Sequence, residues 1–410
     1  MIYKLNAPQD FDCEVFLPAS KSISNRLLII HGLMKGGTVK NLAICDDTGV
    51  MLKAFSDKPD IIDIGAAGTA MRFLTAYFAT LKGEVHIITG TKRMQKRPIS
   101  ILVDALRELG AQITYKGEKN YPPLVVKGEQ LKGGQLSLPG NVSSQYISAL
   151  LLIAPYLQGG LKLELTGNIV SRPYIDLTLN LMKKYGVNAI WDNDNTITVE
   201  NKPYRKQNYL VENDWTASSY WYEIAALADK ARFKIHGLSC KSYQGDSVLK
   251  DIFAPLGIET RGVESGILIE KKSQPRIKKW ELDLTNQPDL AQTLAVTAAM
   301  LNIPFNFTGL HNLKLKETDR IAALINEMKK VGYSVKEKEE GSLCWDGERC
   351  TPTSEPIIST YEDHRMAMAF APIAIKIPAI RIEHPEVVSK SYPQYWNALQ
   401  EAGFDIQQQQ

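Results

Sequence analysis

The amino-acid sequence contains six apolar helical stretches, each of which opens with a short polar or charged motif. The motifs share this position at the start of an apolar run, and they begin at Ser22, Gly68, Val142, Thr216, Asp289 and Asp363. From the second motif onward, successive starts are 73 to 74 residues apart. A repeat of this length indicates a chain built from copies of one supersecondary unit. Because helix amino ends carry unpaired N–H groups and a partial positive charge, the repeat predicts an anion site built from several helix starts.

Length and composition restrict the class of protein. A chain of 410 residues is too long for one typical core, so we expect two domains. The net charge of +3 gives no general attraction to nucleic acid, and no apolar run is long enough to span a membrane. The five cysteines include no CxxC pair, and the first residues lack a basic segment followed by an apolar one. These features predict a reduced, cytoplasmic protein.

Within one repeat, the pattern predicts an apolar helix, a strand, an amphipathic helix that ends at glycine, and a pair of strands. The third repeat has the apolar run 142–156, the alternating strand 161–165 and the amphipathic helix 172–185, which Gly186 ends. The turn-forming residues 192–195 then separate two short strands. Six such repeats predict three per domain.

The later repeats extend this prediction. The fourth has an apolar helix over 216–229 and a second helix over 246–256. The polar segment 202–213 separates the third and fourth repeats and is the best candidate for a linker. The glutamine-rich carboxyl terminus is predicted to be a frayed end.

Polar residues suited to anions precede several of the helices. Lys21, Ser22 and Arg26 combine an ammonium, a hydroxyl and a guanidinium at one helix start, and the glycine-rich run 65–72 allows close approach of backbone N–H groups. The cationic run 92–97 precedes another helix. Taken singly, each motif is equally typical of a capped helix or a solvated charge cluster.

The second half of the chain places acids beside cations at helix starts. Asp289 opens one apolar helix, and residues 316–320 combine two acids with Lys316 and Arg320. Residues 362–365 (EDHR) precede a helix so apolar that it must be buried. Packing alone does not explain why this helix begins with two acids, a histidine and an arginine.

These motifs together resemble those of the 5-enolpyruvylshikimate-3-phosphate synthase family. The matching segments keep the family's order over residues 17–397, and they are LPASKSISNR, GAAGTAMR, RMQKRPI, NVSSQ, SRPYID, KETDR, EDHRMAM and SKSYPQYW. The resemblance implies an α/β fold of two similar domains, each of three βαβαββ units with buried helices. It further implies one domain over residues 20–211, a second over 1–19 and 212–410, and an active site in the cleft between them.

The resemblance also implies a reaction. The family transfers the enolpyruvyl group of phosphoenolpyruvate to the 5-hydroxyl of shikimate 3-phosphate and releases phosphate, on the route to chorismate and the aromatic amino acids. It needs no organic cofactor and no metal. The implied partners are therefore these two small molecules, with no nucleic acid and no membrane, and we expect a monomer.

The family's binding residues transfer to matching positions in this chain. Those implied to hold shikimate 3-phosphate are Lys21, Ser22, Arg26, Ser143, Ser144, Gln145, Ser171, Tyr174, Asp289, Asn312 and Lys316. Those implied to hold phosphoenolpyruvate are Lys21, Gly68, Arg97, Gln145, Arg320, Arg365 and Lys390. Both substrates carry several negative charges, so binding them together requires several cations and planar arginine forks.

The reaction needs two proton transfers. The 5-hydroxyl must lose a proton and the methylene carbon of phosphoenolpyruvate must gain one, after which the tetrahedral adduct loses phosphate. Similarity to the family assigns Asp289 as base toward the hydroxyl, Glu317 as acid and then base at carbon, and Lys21 as proton donor to, or screen of, the leaving phosphate. Because both proton directions are needed, we expect pKa values within reach of neutrality.

Two departures and two alternatives accompany this prediction. The family usually has asparagine at Ala66, and it commonly has Asp-Ala-Ser where residues 214–216 are Asp-Trp-Thr.

One alternative is the related transferase acting on UDP-N-acetylglucosamine, which typically has Lys-Asn in place of Lys21-Ser22 and a cysteine loop that is missing near Arg93. The other is a non-catalytic anion-binding scaffold, against which the retained acids and arginines argue.

The distribution of cations predicts a conformational response. Cationic motifs occur in both halves of the sequence, so mutual repulsion should keep an unliganded cleft open, and shikimate 3-phosphate bound to both halves should close it. Small-angle X-ray scattering is expected to show a smaller radius of gyration with the ligand than without it. An unchanged radius at saturating ligand would contradict the prediction.

Overall fold

The computed structural model describes residues 1–34 and 36–409. Its α-helices are α1 (Lys21–Met34), α2 (Asp46–Asp57), α3 (Gly68–Ala79), α4 (Ser100–Glu108), α5 (Ser144–Ile153), α6 (Arg172–Lys184), α7 (Trp215–Leu227), α8 (Leu249–Phe253), α9 (Ala291–Met300), α10 (Arg320–Lys330), α11 (His364–Phe370) and α12 (Tyr395–Glu401). Its short 3-10 helices are Met94–Lys96, Ala154–Tyr156, Gly245–Val248, Ala254–Leu256, Pro288–Leu290, His311–Leu315, Ala371–Ile375 and Pro385–Lys390.

The strands are short and alternate with the helices along the chain. They are β1 (Ile2–Asn6), β2 (Asp10–Phe16), β3 (Val39–Lys40), β4 (Ile61–Asp63), β5 (Val85–Thr89), β6 (Gln112–Tyr115), β7 (Leu124–Lys127), β8 (Lys132–Pro139), β9 (Gln158–Thr166), β10 (Ala189–Trp191), β11 (Thr196–Val199), β12 (Tyr209–Leu210), β13 (Lys230–His236), β14 (Ile258–Val263), β15 (Gly266–Lys271), β16 (Trp280–Asp283), β17 (Phe305–Thr308), β18 (Leu343–Trp345), β19 (Ile357–Ile358), β20 (Ile380–Glu383) and β21 (Asp405–Gln409).

The chain divides into two compact units. Residues Ala19–Val211 form the first compact unit, and Met1–Pro18 together with Glu212–Gln410 form the second. The chain therefore passes between the units twice, once after Pro18 and once after Val211.

One strand pattern recurs in both units. A parallel pair is followed by two antiparallel partners, and this gives the orders β4-β5-β7-β6, β8-β9-β11-β10 and β2-β13-β15-β14. The sheet β16-β17-β18 has the same parallel and antiparallel pairs with three strands. In three of these sheets a helix (α3, α5 or α9) connects the two parallel strands, as expected for a βαβ unit, whereas β2 and β13 are separated in the chain by the first compact unit and α7. The recurring sheet therefore explains the repeat seen in the sequence.

At each connection between the units, the last strand pairs within the unit that the chain is leaving. β2 immediately precedes α1 in the chain, yet it pairs with β13 over residues 10–16 and 230–236 of the second compact unit. β12 immediately precedes α7, yet it pairs with β3 in the first. Part of the predicted linker 202–213 is thus a strand of the first unit, because the N–H groups of Tyr209 and Val211 bond the carbonyls of Thr38 and Lys40.

The last sheet is completed by the amino terminus. Its order is β19-β20-β1-β21, with β1 antiparallel to both β20 and β21. The predicted frayed end is therefore wrong for residues 407–409, because Gln408 and Gln409 lie opposite Tyr3 and Ile2 in the ladder. Gln410 lies outside the described residues. Backbone hydrogen bonds to β1 stabilise a tract whose composition alone gives no strand signal.

The apolar helices of the repeats form the cores. In α3, α5, α7, α9 and α11 nearly every residue is buried, as expected for helices that are apolar on all faces. The amphipathic helices α4, α6 and α10 bury only one face. Polar residues at the starts of the apolar helices therefore gather at one end of each helix cluster.

Three predicted helices are shorter than expected. The predicted helix 246–256 is a single turn of α-helix, α8, flanked by two 3-10 segments. Pro255 lacks the N–H that would continue the α-helical bonds, and Pro155 and Pro372 similarly end α5 and α11 in 3-10 turns. Among the described residues, no helix has both the length and the apolar character needed to cross a membrane.

Glu223 is the most unusual residue of the second core. It lies on α7 with none of its surface exposed, and neither carboxylate oxygen has a hydrogen-bond partner among the described residues. Burial raises the pKa of Glu223 well above its ordinary value. The native state therefore favours the protonated acid, whereas the unfolded chain ionises near the ordinary glutamate pKa.

This difference predicts how stability depends on pH. Between the unfolded and folded pKa values the native state binds more protons, so the parent loses stability as pH rises above about 4.5. Glu223→Met lacks this proton, so its stability relative to the parent should rise as pH increases above about 5, by at most about 1.4 kcal/mol per pH unit, until the folded-state pKa is reached. Urea unfolding followed by tryptophan fluorescence measures this, since all tryptophans except Trp191 lie in the second unit.

The exposed Glu259 on β14 provides a matched control, and Glu259→Met should show a nearly constant difference from the parent. An equally flat difference for Glu223→Met would contradict the role assigned to burial.

Candidate active site

A fully buried guanidinium organises the polar end of the second compact unit. Arg320, at the start of α10, is 1% exposed and bonds three carboxylates. Its Nε donates to Asp363 Oδ2 at 2.7 Å and its Nη1 to Asp289 Oδ1 at 3.0 Å. Its Nη2 donates to Glu317 Oε2 at 3.0 Å and to Asp363 Oδ1 at 3.3 Å. These acids come from the segments before α9, α10 and α11, so Arg320 joins both helices of the fifth repeat to the start of the sixth.

Three further cations surround the same carboxylates. Arg365 Nη2 lies 3.0 Å from Asp289 Oδ2, and Lys316 Nζ lies 3.4 Å from Asp289 Oδ1. Lys390 Nζ lies 2.7 Å from Glu317 Oε1. Together with Arg320, the cluster holds four cations and three carboxylates, which leaves one positive charge in excess. We call these seven residues the Arg320 cluster.

Asp289 is ionised in this arrangement. Burial by itself raises the pKa of Asp289, but the charges of Arg365, Lys316 and Arg320 outweigh burial and hold it well below its ordinary value. The prediction of a pKa near neutrality is therefore wrong for Asp289 as its neighbours are placed here. The carboxylate is a hydrogen-bond acceptor that three cations already use.

A second buried acid lies near the Arg320 cluster. Asp246 is 3% exposed, and its Oδ2 accepts a hydrogen bond from the hydroxyl of Thr216. Burial, with the charge of Asp289, raises the pKa of Asp246 to about 6, although the Thr216 bond acts in the opposite direction. Asp214, the cap of α7, accepts from the N–H of Ala217 at 3.0 Å. The start of α7 therefore contributes Asp214 and a hydrogen bond to Asp246, in addition to the acids at the starts of α9 and α11.

The first compact unit carries a buried guanidinium of a different kind. Arg26, 3% exposed, donates only to neutral oxygens: Thr178 Oγ1 at 2.7 Å, Ser148 Oγ at 3.1 Å, and the carbonyls of Ser22 and Tyr174 at 2.8 and 3.1 Å. Burial without a paired carboxylate lowers the pKa of Arg26 to about 10. The arginine thus keeps its charge at neutral pH and braces the starts of α1 and α6.

Other predicted residues of the first unit lie at neighbouring helix starts. Lys21 Nζ is 3.3 Å from Asp47 Oδ2, whose side chain is 3% exposed. Ser143 caps α5, Ser144 begins it, and Gln145 Nε2 donates to Thr69 Oγ1 at the start of α3 at 3.0 Å. Ser171 precedes α6 in a left-handed conformation with φ of 56°.

The glycine-rich loop brings two guanidinium groups together. Gly68 begins α3, and a Cβ added to it would lie 2.8 Å from Arg97 Nη1 and 3.2 Å from Arg72 Nη1. Arg72 Nη1 also donates to the carbonyl of Gly68 at 2.9 Å. The structure therefore places Arg97 beside Gly68, with Arg72 as a second cation that was not predicted to belong to the site.

In residues 1–34 and 36–409 the candidate metal ligands do not cluster, and the cysteines form no disulfide. No group of three or more histidine, cysteine or acidic side chains there could hold a metal ion. Cysteines 13, 45, 240, 344 and 350 are all free thiols. The chemistry that these sites support is the binding of anions and the transfer of protons.

Comparison with known proteins agrees with this chemistry. The family described as EPSP synthase (3-phosphoshikimate 1-carboxyvinyltransferase) matches residues 53–399. The chain belongs to the EPSP synthase family. A 3-phosphoshikimate 1-carboxyvinyltransferase of Bacteroides fragilis strain YCH46 is 56% identical over 407 residues, covering 99% of each chain. An enzyme of the same name from Histophilus somni strain 2336 is 36% identical and covers 95% of this chain and 96% of its own.

Solved structures support the fold. The 2.37 Å structure of EPSP synthase from Acinetobacter baumannii has a TM-score of 0.79 and 22% sequence identity, and the match covers 99% of this chain and 100% of that one. The predicted family and fold class are therefore confirmed. The EPSP synthase fold accounts for both the repeated sheet and the buried helices.

The predicted site residues separate into two groups. In the second compact unit the structure joins Asp289, Lys316, Glu317, Arg320, Arg365 and Lys390 in the Arg320 cluster. Asn312 lies in the 3-10 helix His311–Leu315, directly before this cluster. In the first unit, Arg26 contacts the backbone of Ser22 and Tyr174, whereas Gly68 and Arg97 lie together at the start of α3. These placements leave the individual binding roles as predictions.

Several polar partners were not predicted from the sequence. Asp363 bonds Arg320 through both oxygens and also accepts from the N–H of Arg365 at 2.9 Å. Asp47 pairs with Lys21, and Thr69 with Gln145. The EDHR motif drew attention to residue 363 without assigning it a partner. Asp47 and Thr69 are residue types that are common at helix starts, so the local sequence gave no signal that they would bind Lys21 and Gln145.

The structure locates both departures from the family pattern. Trp215 is fully buried, and its indole N–H donates to Glu212 Oε1 at 3.1 Å. The Thr216 hydroxyl supplies the hydrogen bond to Asp246. Ala66 lies directly before Ala67, the cap residue of α3, which is the end of the helix that faces Arg97.

The geometry at Gly68 leads to a prediction for Gly68→Ala. The nearest atom to the added methyl group is the end of the flexible Arg97 side chain, so the fold should persist while that guanidinium moves. We expect the KM for phosphoenolpyruvate to rise roughly 5- to 10-fold. Glyphosate, the family's inhibitor, is longer than phosphoenolpyruvate, so its inhibition constant should rise by a larger factor.

Inhibition curves for parent and Gly68→Ala, at matched saturation with phosphoenolpyruvate, measure the difference. Gly49→Ala is the matched control, because a Cβ at Gly49 in α2 would meet nothing within 4 Å. Superimposable curves for Gly68→Ala and the parent would remove Gly68 from the proposed site.

Proposed function

We propose that this chain transfers the enolpyruvyl group of phosphoenolpyruvate to the 5-hydroxyl of shikimate 3-phosphate by addition and elimination. The reaction, the transferase class and the place in the shikimate pathway agree with membership of the EPSP synthase family. The observation that carries the proposal at atomic level is the Arg320 cluster, in which two candidate proton carriers are held by four cations.

The first compact unit is proposed to bind shikimate 3-phosphate. Lys21, Ser22, Ser143, Ser144 and Ser171 offer an ammonium, hydroxyls and N–H groups at helix starts, which suits a phosphate. Arg26 already uses at least four of its five N–H groups on protein oxygens. Its main contribution is therefore positive charge and the alignment of Ser22 and Tyr174.

Phosphoenolpyruvate is proposed to take the arginines of both units. Gly68 and Arg97 of the first unit would receive one end, and Arg320, Arg365 and Lys390 of the second would receive the other. Since each substrate would take groups from both units, the proposal places the active site in a cleft between domains 20–211 and 1–19 plus 212–410. Gln145 of the first unit and Asn312 of the second would complete the polar lining.

Proton transfer is assigned to three residues. Asp289 accepts the proton of the 5-hydroxyl, and Glu317 donates to the methylene carbon and then takes the proton back during elimination. Lys21 protonates or screens the leaving phosphate. When substrate anions pair with Arg365 and Arg320, the field that lowers the pKa of Asp289 weakens while burial still raises it. Substrate binding thus makes Asp289 a stronger base.

Two further properties of the enzyme are part of the proposal. The five free thiols favour action in a reducing cytoplasm. We also propose that the monomer is the active form, because all of the assigned groups belong to one chain. Sedimentation at assay concentrations tests the second point.

A phosphate-release assay tests the function. Phosphoenolpyruvate with shikimate 3-phosphate should release phosphate, whereas phosphoenolpyruvate with UDP-N-acetylglucosamine should not. Release only with the UDP-sugar would assign the chain to the related transferase, and release with neither acceptor would favour a binding scaffold.

Paired variants separate chemistry from binding. Glu317→Gln keeps the shape of the side chain but cannot carry the proton, so turnover should fall at least about 100-fold while shikimate 3-phosphate still binds. Arg26→Ala should instead weaken shikimate 3-phosphate, because Ser22 and Tyr174 lose their common donor. Steady-state kinetics and calorimetric titration provide the two measurements.

Glu337→Gln is the control for Glu317→Gln. Glu337 also pairs with a lysine, Lys314, at 2.9 Å in the second unit, but it lies outside the Arg320 cluster. Its turnover should stay near that of the parent. Parent-like turnover in Glu317→Gln would exclude the proton role.

A further inference from the structure

Arg72 is a buried cation for which the proposed reaction has so far no use. It lies on α3, one turn after Gly68, and is 3% exposed. Its Nη1 donates to the carbonyl of Gly68 at 2.9 Å and lies 3.7 Å from the sulfur of Met94. Its Nε is buried and has no hydrogen-bond partner among the described residues. Its Cζ lies 5.7 Å from the centre of the Tyr146 ring.

No carboxylate in residues 1–34 and 36–409 lies within ion-pairing distance of Arg72. Arginines are rarely buried without a counter-ion, because removing the charge from water costs several kcal/mol. Arg320, buried to the same degree, has three carboxylates. A carbonyl and an aromatic face compensate Arg72 only in part. The missing negative charge is one that a bound anion can supply.

The direction of Arg72 indicates where that anion would lie. A Cβ built on Gly68 would be 3.2 Å from Arg72 Nη1 and 2.8 Å from Arg97 Nη1. Both guanidinium groups therefore approach one point on the backbone at the amino end of α3. Two like charges this close repel each other, so an anion beside Gly68 gains from both.

We infer that Arg72 is a positioning residue for the anionic substrate at Gly68. It fixes the Gly68 peptide through the carbonyl hydrogen bond and adds a second positive charge behind Arg97. Phosphoenolpyruvate is the substrate concerned, so the inference rests on the proposed function. Affinity for phosphoenolpyruvate should depend on the Arg72 charge, whereas shikimate 3-phosphate, assigned to the starts of α1, α5 and α6, should be affected little.

Two substitutions separate the charge from the hydrogen bond. Arg72→Met removes both, and the KM for phosphoenolpyruvate should rise about 10- to 100-fold while kcat falls less than about threefold. Arg72→Lys keeps the charge without the planar fork, and its KM should lie between those of the parent and Arg72→Met. The salt dependence of KM should be weaker in Arg72→Met than in the parent, because one charge near the ligand is lost.

Arg107→Met is the matched control. Arg107 also lies over a tyrosine, with Cζ 5.2 Å from the Tyr115 ring, and it donates to the carbonyl of Ile113. It differs in having Asp104 as counter-ion at 3.3 Å and in being partly exposed. All kinetic constants of this variant should match the parent. Thermal unfolding and calorimetric titration with shikimate 3-phosphate are measured on every variant.

The outcomes are distinct. A raised KM for phosphoenolpyruvate with an unchanged Kd for shikimate 3-phosphate supports the inference. An unchanged KM in an active Arg72→Met protein overturns it, as does an unchanged KM in Arg72→Lys if Arg72→Met does not fold. Equal losses in kcat, in both substrate affinities and in unfolding temperature would show a purely structural role and also overturn it. A parent without phosphate release would instead refute the proposed function.

Discussion

The contact between Arg320 and its three carboxylates is the interaction on which the second compact unit's polar end depends. A fully buried guanidinium is tolerable only when its donors are used and its charge is balanced. Here Asp289, Glu317 and Asp363 meet both requirements, and they come from the segments before three successive α-helices, α9, α10 and α11. Removing Arg320 would leave three acids together near one point, so the same residue that aligns the candidate proton carriers also keeps them from repelling each other.

The first compact unit buries its arginines without pairing them with carboxylates. Arg26 and Arg72 are buried among hydroxyls, carbonyls and aromatic rings, and neither has a paired carboxylate among the described residues. Neutral acceptors hold an arginine in position without cancelling its charge. One unit therefore presents cations whose charge is largely balanced, and the other presents buried cations whose charge is still available to an anion.

The sequence predicted those parts of the structure that depend on local pattern. The repeat, the apolar helices and the glycine that ends α6 all follow from spacing and residue type, and the combined motifs identified the family. Partners distant in the chain were not predictable, because nothing near Asp363 or Asp47 in the sequence points to Arg320 or Lys21. The same holds for β1, which completes a sheet with β20 and β21 from the other end of the chain.

The charge states of the buried acids were the least predictable property from sequence, because each pKa depends on burial and on the summed charges of several neighbouring residues. Burial raises the pKa of Asp289, yet three cations reverse the direction. Asp246, also buried, has a hydroxyl as its hydrogen-bond donor, and its pKa rises to about 6. Asp289 is the more exposed of the two, at 17% of its side chain, and the larger difference lies in its cations, since three lie within ion-pairing distance of Asp289. If a substrate's negative charges occupy Arg365 and Arg320, the environment of Asp289 becomes more like that of Asp246. An acid held ionised by its neighbours can thus become a base of useful strength when the substrate arrives, and the energy for the change comes from the pairing of substrate anions with the arginines.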